Sequence, residues 1–190
     1  MDRTKLIHRA FVALNLGALM TGLGRDNFSG ITLNVLLLFF LMLALRVKFW
    51  ADDEAYFEDV EKGKLEEGLP FYFGFALAMA SWIVWLFAGF WVKHLETSSL
   101  LMSLALIPST FWIVATMVSK GAYDEQVPWL FFNVFYVLGF ALIFVGRSSW
   151  NPYSSAPDKY FTTILILLIV LFFLDLIATR IIEQRRRKGS

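Results

Sequence analysis

The sequence predicts an all-α fold, a polytopic integral membrane bundle of six transmembrane helices with both termini cytoplasmic. Three observations predict it. First, six long apolar stretches, at 6–24, 31–47, 69–92, 98–119, 127–146 and 161–182, fill most of the 190 residues. A hydrocarbon core about 30 Å thick takes around 20 apolar helical residues to cross, so each stretch matches one crossing. Second, 58 % of the residues are hydrophobic, above the roughly 45–50 % of soluble domains. Third, the basic residues alternate in side. Arg3, Lys5 and Arg9, then Arg46, Lys48, Lys62 and Lys64, then Lys120, then Arg180, Arg185, Arg186, Arg187 and Lys188 fall together. The opposite loops hold only Arg25, Lys93, Arg147 and Lys159. Thirteen against four, under the positive-inside rule, puts the termini in the cytoplasm. The expected location is a bacterial inner membrane.

The first stretch follows Asp2-Arg3-Thr4-Lys5 and contains His8, Arg9, Asn15 and several glycines. It lacks a small-x-small cleavage site, so a retained span is expected rather than a signal peptide. Were it only surface-bound, five spans would remain and every later loop would violate the charge rule. Ala13/Gly17 and Ala18/Gly22 here, with Gly74/Ala78 and Ala76/Ala80 in the third stretch, have the spacing that lets helix backbones approach closely in lipid, either inside one bundle or between subunits. The second stretch runs on into residues 48–68. Half of the 16 carboxylates lie there, and Phe49, Trp50, Tyr56, Phe57 and Val60 recur at near-helical spacing. This predicts an amphipathic extension that covers the bundle's mouth or docks a partner.

Pro70 and Pro128 open the third and fifth stretches, where a missing N–H costs little. Pro108 lies inside the fourth, where it removes a backbone bond and makes a kink or a hinge. Trp50, Trp91, Trp129 and Trp150 mark stretch ends, whereas Trp82, Trp85 and Trp112 lie deeper. The Leu165–Leu171 run is apolar all round, as suits a helix facing lipid. The whole reads as one transmembrane domain over 1–190, with the acidic extension at 48–68 and a basic tail at 183–190.

Candidate functional residues are polar groups in apolar surroundings. Asp175 leads, because a carboxylate inside hydrocarbon costs about 3 kcal/mol unless paired or hydrated. Its roles are proton or cation coordination, or a structural cap bonded to Thr179 or paired with a nearby Lys or Arg. Asn15, Asn34 and Asn133 need partners in lipid, and either glue helices together or line a wet path. Asn34-Val35 and Asn133-Val134 each begin a run ending in Arg, at Arg46 and Arg147, a hint of a 3+3 inverted repeat. Asn27-Phe28-Ser29 matches a glycosylation acceptor in a loop too short for the modification.

Zero Cys excludes disulfides and thiol chemistry. His8 and His94 fall on opposite sides, so no metal site is expected, and no cofactor or nucleic-acid partner either. Neither the Gly-x-Ser-Gly of rhomboid proteases nor the Asn-Pro-x-Pro of small acetate carriers is present, and the chain is not expected to be an enzyme. The expected function is an oligomeric channel or transporter for an ion or small solute, with Asp175, Asn15, Asn34 and Asn133 on the path and Pro108 as hinge. The alternative is a membrane anchor, sensor or scaffold. It would recruit a cytosolic protein through Asp52, Asp53, Glu54, Phe57, Glu58, Asp59 and Glu61 and through Arg185, Arg186 and Arg187. The lipid bilayer and further copies of the chain are the other expected partners.

Overall fold

The computed structural model describes residues 2–61, 69–120, 126–147 and 158–189. They form six helices, α1 (Asp2–Gly24), α2 (Leu33–Glu61), α3 (Leu69–Phe90), α4 (Leu95–Lys120), α5 (Gln126–Arg147) and α6 (Asp158–Gly189), and no strand. All six are long and apolar enough to cross a membrane, the first included. The side chains of Tyr56, Asp59, Val60 and Arg185–Arg187, and the loops holding Lys62, Lys64 and Trp150, lie outside the described residues.

The helices pack in a closed ring, in the order α1, α3, α4, α5, α6, α2 and back to α1, with a slight contact across the ring between α2 and α4. Odd-numbered helices start, and even-numbered helices end, at the end of the ring that carries both termini, here the terminal end. The ring order does not carry the inverted repeat suggested by Asn34-Val35 and Asn133-Val134. Such a repeat would pair α4 with α6 as α1 pairs with α3, and α3 with α5 as α6 pairs with α2. Neither pair packs.

Close helix approach follows from small residues. A Cβ on Gly22 of α1 would lie 2.3 Å from the Gly89 carbonyl oxygen of α3, and one on Gly74 would run into the Trp112 indole of α4. Gly22 and Gly74 therefore serve packing inside one chain, whereas Gly17 has nothing within 4 Å and Ala13 is exposed beside it. Three serines on neighbouring helices satisfy backbone carbonyls. Ser98 donates to Ala88 O at 2.9 Å, Ser103 to Val137 O at 3.0 Å, and Ser81 to Ala105 O at 2.5 Å. The last falls one residue beyond the Leu104 carbonyl whose helical donor Pro108 removes, and the chain stays helical through Pro108 within α4.

The outer face is apolar, with Phe40, Ile83, Phe87, Phe111, Leu138, Leu142, Leu167 and Phe173 among many exposed side chains. That is the surface expected of a polytopic membrane protein, whose helices meet lipid rather than water. α6 is two-faced rather than uniformly lipid-facing. Ile166, Leu167 and Val170 point out, while Phe161, Leu165, Leu168, Phe172 and Asp175 are buried. The three- and four-residue steps of that stripe carry Asp175 inward.

Candidate functional site

The core face of α2 repeats through Leu38, Leu41, Met42 and Leu45, all fully buried. Three and four residues further on the same helix face come Lys48 and Phe49, and four beyond Lys48 comes Asp52. Because α2 continues unbroken to Glu61, it drives these charges into the ring instead of releasing them to a loop.

Lys48 is the centre of a buried cluster. Its Nζ donates to Asp52 Oδ2 at 2.7 Å and lies 3.3 Å from Asp175 Oδ2 of α6. The Tyr136 hydroxyl of α5 donates to the same Asp175 oxygen at 3.2 Å, while Asp175 Oδ1 is buried without a hydrogen-bond partner. Of the structural roles foreseen for Asp175, the structure shows the pairing with a nearby cation, which is Lys48. One ammonium between two carboxylates answers the desolvation that any single buried charge would suffer.

This cluster borders a cavity of about 140 Å³ at the terminal end. Phe49, Asp52, Asp53 and Phe57 of α2 line one side, and Phe75, Ser81, Trp82 and Trp85 of α3 another. Ser109 and Trp112 of α4, Trp129 and Asn133 of α5, and Asp175 of α6 complete the wall. Phe49, Asp52, Asp53 and Phe57 of the α2 extension therefore face their own bundle.

Arg46 also lines this cavity. It is only 2 % exposed, yet neither its Nε nor its Nη2 makes a hydrogen bond. The guanidinium sits over the Trp82 ring, 5.9 Å from its centroid. A desolvated cation–π contact of this kind is worth about 2 kcal/mol. That falls short of the several kcal/mol effective cost of burying an ion. Asp53 attracts Arg46 electrostatically but makes no hydrogen bond to it. Asp53 instead lies 3.0 Å from His8 Nε2.

His8 of α1 is fully buried between the Trp82 ring at 4.7 Å and the Phe57 ring at 5.4 Å. Its neighbours tie α1 to the α2 extension. Arg9 makes a two-pronged bond to Glu54 at 2.8 and 3.0 Å, and Lys5 pairs with Glu61 at 2.6 Å. Of the acidic residues foreseen as partner-binding, Asp52, Asp53, Glu54 and Glu61 therefore contact basic groups of the same chain. Glu58 is exposed, and the side chains of Asp59, Arg185, Arg186 and Arg187 lie outside the described residues.

The three asparagines separate. Asn133 lines the cavity. Asn34 is at the opposite end, where it accepts from the Thr162 hydroxyl at 2.7 Å and donates to Asp158 O at 3.4 Å, joining α2 to α6. It also borders a second, polar depression of about 310 Å³ with Lys93, His94, Glu96 and Arg147. Asn15 is buried in α1 with neither amide atom hydrogen-bonded, away from both. Between the two recesses lies apolar core, including Leu38, Leu41, Met42, Leu45, Met102, Ala105, Phe140 and Ile143. The Asn27 acceptor motif sits in a tight turn where Asp26, Asn27 and Phe28 all have positive φ.

Sequence reasoning missed the placement of Arg46 and Lys48, which enter there as basic residues of one side, and of His8, which enters only as a histidine without a metal-ligating partner. The signal was present for Lys48, since extending the Leu38–Leu45 period by one turn reaches it. Comparison with known proteins returns no matching family, no matching curated protein and no matching solved structure. What can be said of function therefore rests on this geometry and on the fold of a six-helix membrane protein.

Proposed function

We propose that the protein is a membrane transporter that binds a small solute in the Arg46–Lys48–Asp175 cavity. One observation carries the reading. A ring of six apolar helices encloses charged, aromatic-walled space at one end, faced by a polar recess at the other, with an apolar plug between them. Charge placed inside a membrane helix bundle is costly, and its usual return is a path or binding site. An open channel would need a continuous wet route, which the Leu38–Leu45 layer interrupts, so alternating exposure of one site suits the arrangement better.

The cavity lies within one chain, so the proposed path runs through a subunit rather than between copies. We place the terminal end in the cytoplasm, on the charge asymmetry. The scaffold reading has less to draw on, because much of the acidic face is engaged by α1.

Counterflow in proteoliposomes tests the proposal. Vesicles loaded with a panel of small organic anions, cations and zwitterions should show saturable exchange for at least one. Asp175→Asn should slow that exchange at least tenfold. No exchange with any member of the panel, by protein shown to be folded, would overturn the reading.

A further inference from the structure

We infer that the cavity takes a compact organic anion, a carboxylate or phosphate on a small apolar body, with Arg46 as its anchor. The inference names the substrate class of the transport reading and rests on that reading only for the statement that the ligand is moved. Three observations carry it.

The first is the state of hydrogen bonding. Asp52 Oδ2 and Asp175 Oδ2 are served by Lys48 and Tyr136, which leaves one buried acceptor of the cavity, Asp175 Oδ1, without a donor. Arg46 has two donors in that state, Nε and Nη2, both buried and unbonded. Buried polar groups are almost always satisfied, and an exception calls for an explanation such as an absent ligand. At the guanidinium the unmet need is for an acceptor, and it is the larger of the two. Arginine's planar fork fits carboxylate and phosphate oxygens, and a charge-assisted bond of this kind gains strength from burial.

The second is the wall. Trp82, Trp85, Trp112 and Trp129 surround the space, and such surfaces bind the flat or aliphatic body of an organic molecule rather than a hydrated inorganic ion. The third is size. About 140 Å³ is close to the roughly 150 Å³ engineered cavity that accepts benzene, so the body is about one ring or a short chain.

A net acidic lining speaks for a cation instead, since Asp52, Asp53 and Asp175 outnumber Arg46 and Lys48. Asp52 and Asp175 share Lys48, however, leaving only Asp175 Oδ1 without a partner, and Asp53 faces His8 at 3.0 Å. A cation would leave the Arg46 donors bare.

The test is binding to the full-length protein in detergent, read by quenching of tryptophan fluorescence and by thermal shift. Benzoate, benzamide and benzylammonium share one body and differ in charge. Benzoate should quench and raise Tm, with at least tenfold weaker effects from the other two. Arg46→Gln should weaken benzoate at least tenfold, while Arg46→Lys, which keeps charge but not the fork, should retain part of the affinity. If Arg46→Gln does not fold, benzoate should still protect Arg46 of the wild-type protein from phenylglyoxal, read by mass spectrometry. Preference for benzylammonium, or benzoate binding indifferent to Arg46 with no protection of it, would overturn the inference. So would binding of dioctanoyl phosphatidic acid without benzoate, which would make the anion a lipid headgroup. Because binding is read without flux, the two proposals fail separately. Benzoate bound through Arg46 without counterflow sinks transport alone, and counterflow of a cation without benzoate binding sinks the anion site alone.

Discussion

Lys48 of α2 and Asp175 of α6 meet 3.3 Å apart inside the ring, and this contact joins two helices distant in sequence at the wall of the cavity. Asp52 shares the same ammonium. Removing the cation strands one buried and one half-buried carboxylate, whereas removing one carboxylate leaves the other pair intact. Lys48→Met is therefore expected to destabilise by about 3–5 kcal/mol, the usual cost of breaking a buried pair from one side. Asp175→Asn should cost clearly less. Thermal melts in detergent check the order, and equal Tm losses for the two variants would contradict it.

Backbone contact between α1 and α3 makes a second expectation. At Gly22 an added Cβ meets a main-chain oxygen that cannot swing away. Gly22→Ala should cost about 1–3 kcal/mol through overpacking, whereas Gly17→Ala, with open space around it, should leave Tm unchanged. A silent Gly22→Ala would mean that α1 does not seat against α3 as described.

The ion pairs between α1 and the α2 extension are expected to be weak contributors individually. Lys5–Glu61 lies at the rim, with side chains 16 and 35 % exposed. Lys5→Gln should change stability by less than about 1 kcal/mol, as exposed pairs do. What effect it has should fade with added salt. Melts at low and high ionic strength measure it, and a large, salt-independent loss would show the pair to be shielded from solvent.

The absence of cysteine makes the orientation straightforward to test. Single cysteines at exposed Glu58, Gln184 and Thr97 can be labelled with an impermeant maleimide in intact cells. The positive-inside reading expects Thr97→Cys to react from outside, and Glu58→Cys and Gln184→Cys only after lysis. The opposite pattern would invert the topology.

Element type and number were legible without the structure, because burying unpaired backbone groups in lipid leaves helix as the main option for each apolar stretch. The stretches at 31–47 and 161–182 already located α2 and α6. The partners of their polar residues were not legible. Asp175 stood out as a buried charge, but the identity of its cation depended on α6 packing beside α2. Hydropathy, which sets each helix separately, says nothing about that neighbour relation. Asn34, Asn133 and Asn15 looked alike in sequence, and ring packing sent them to a helix joint, a cavity wall and an unpaired interior position.

By itself, then, the sequence determined six membrane-length helices, the alternation of charge between their ends and the run of α2 past its apolar stretch. Those properties follow from local chain chemistry in a solvent that cannot bond the backbone. Only the tertiary structure decided that Lys48 answers Asp175, that Arg46 Nε and Nη2 are left unbonded against Trp82, and that Asp53, Glu54 and Glu61 of the extension turn toward α1. The physical reason is that lipid offers little hydrophobic drive between helices, so their order around the ring is set by close packing and polar contacts between residues far apart in the chain.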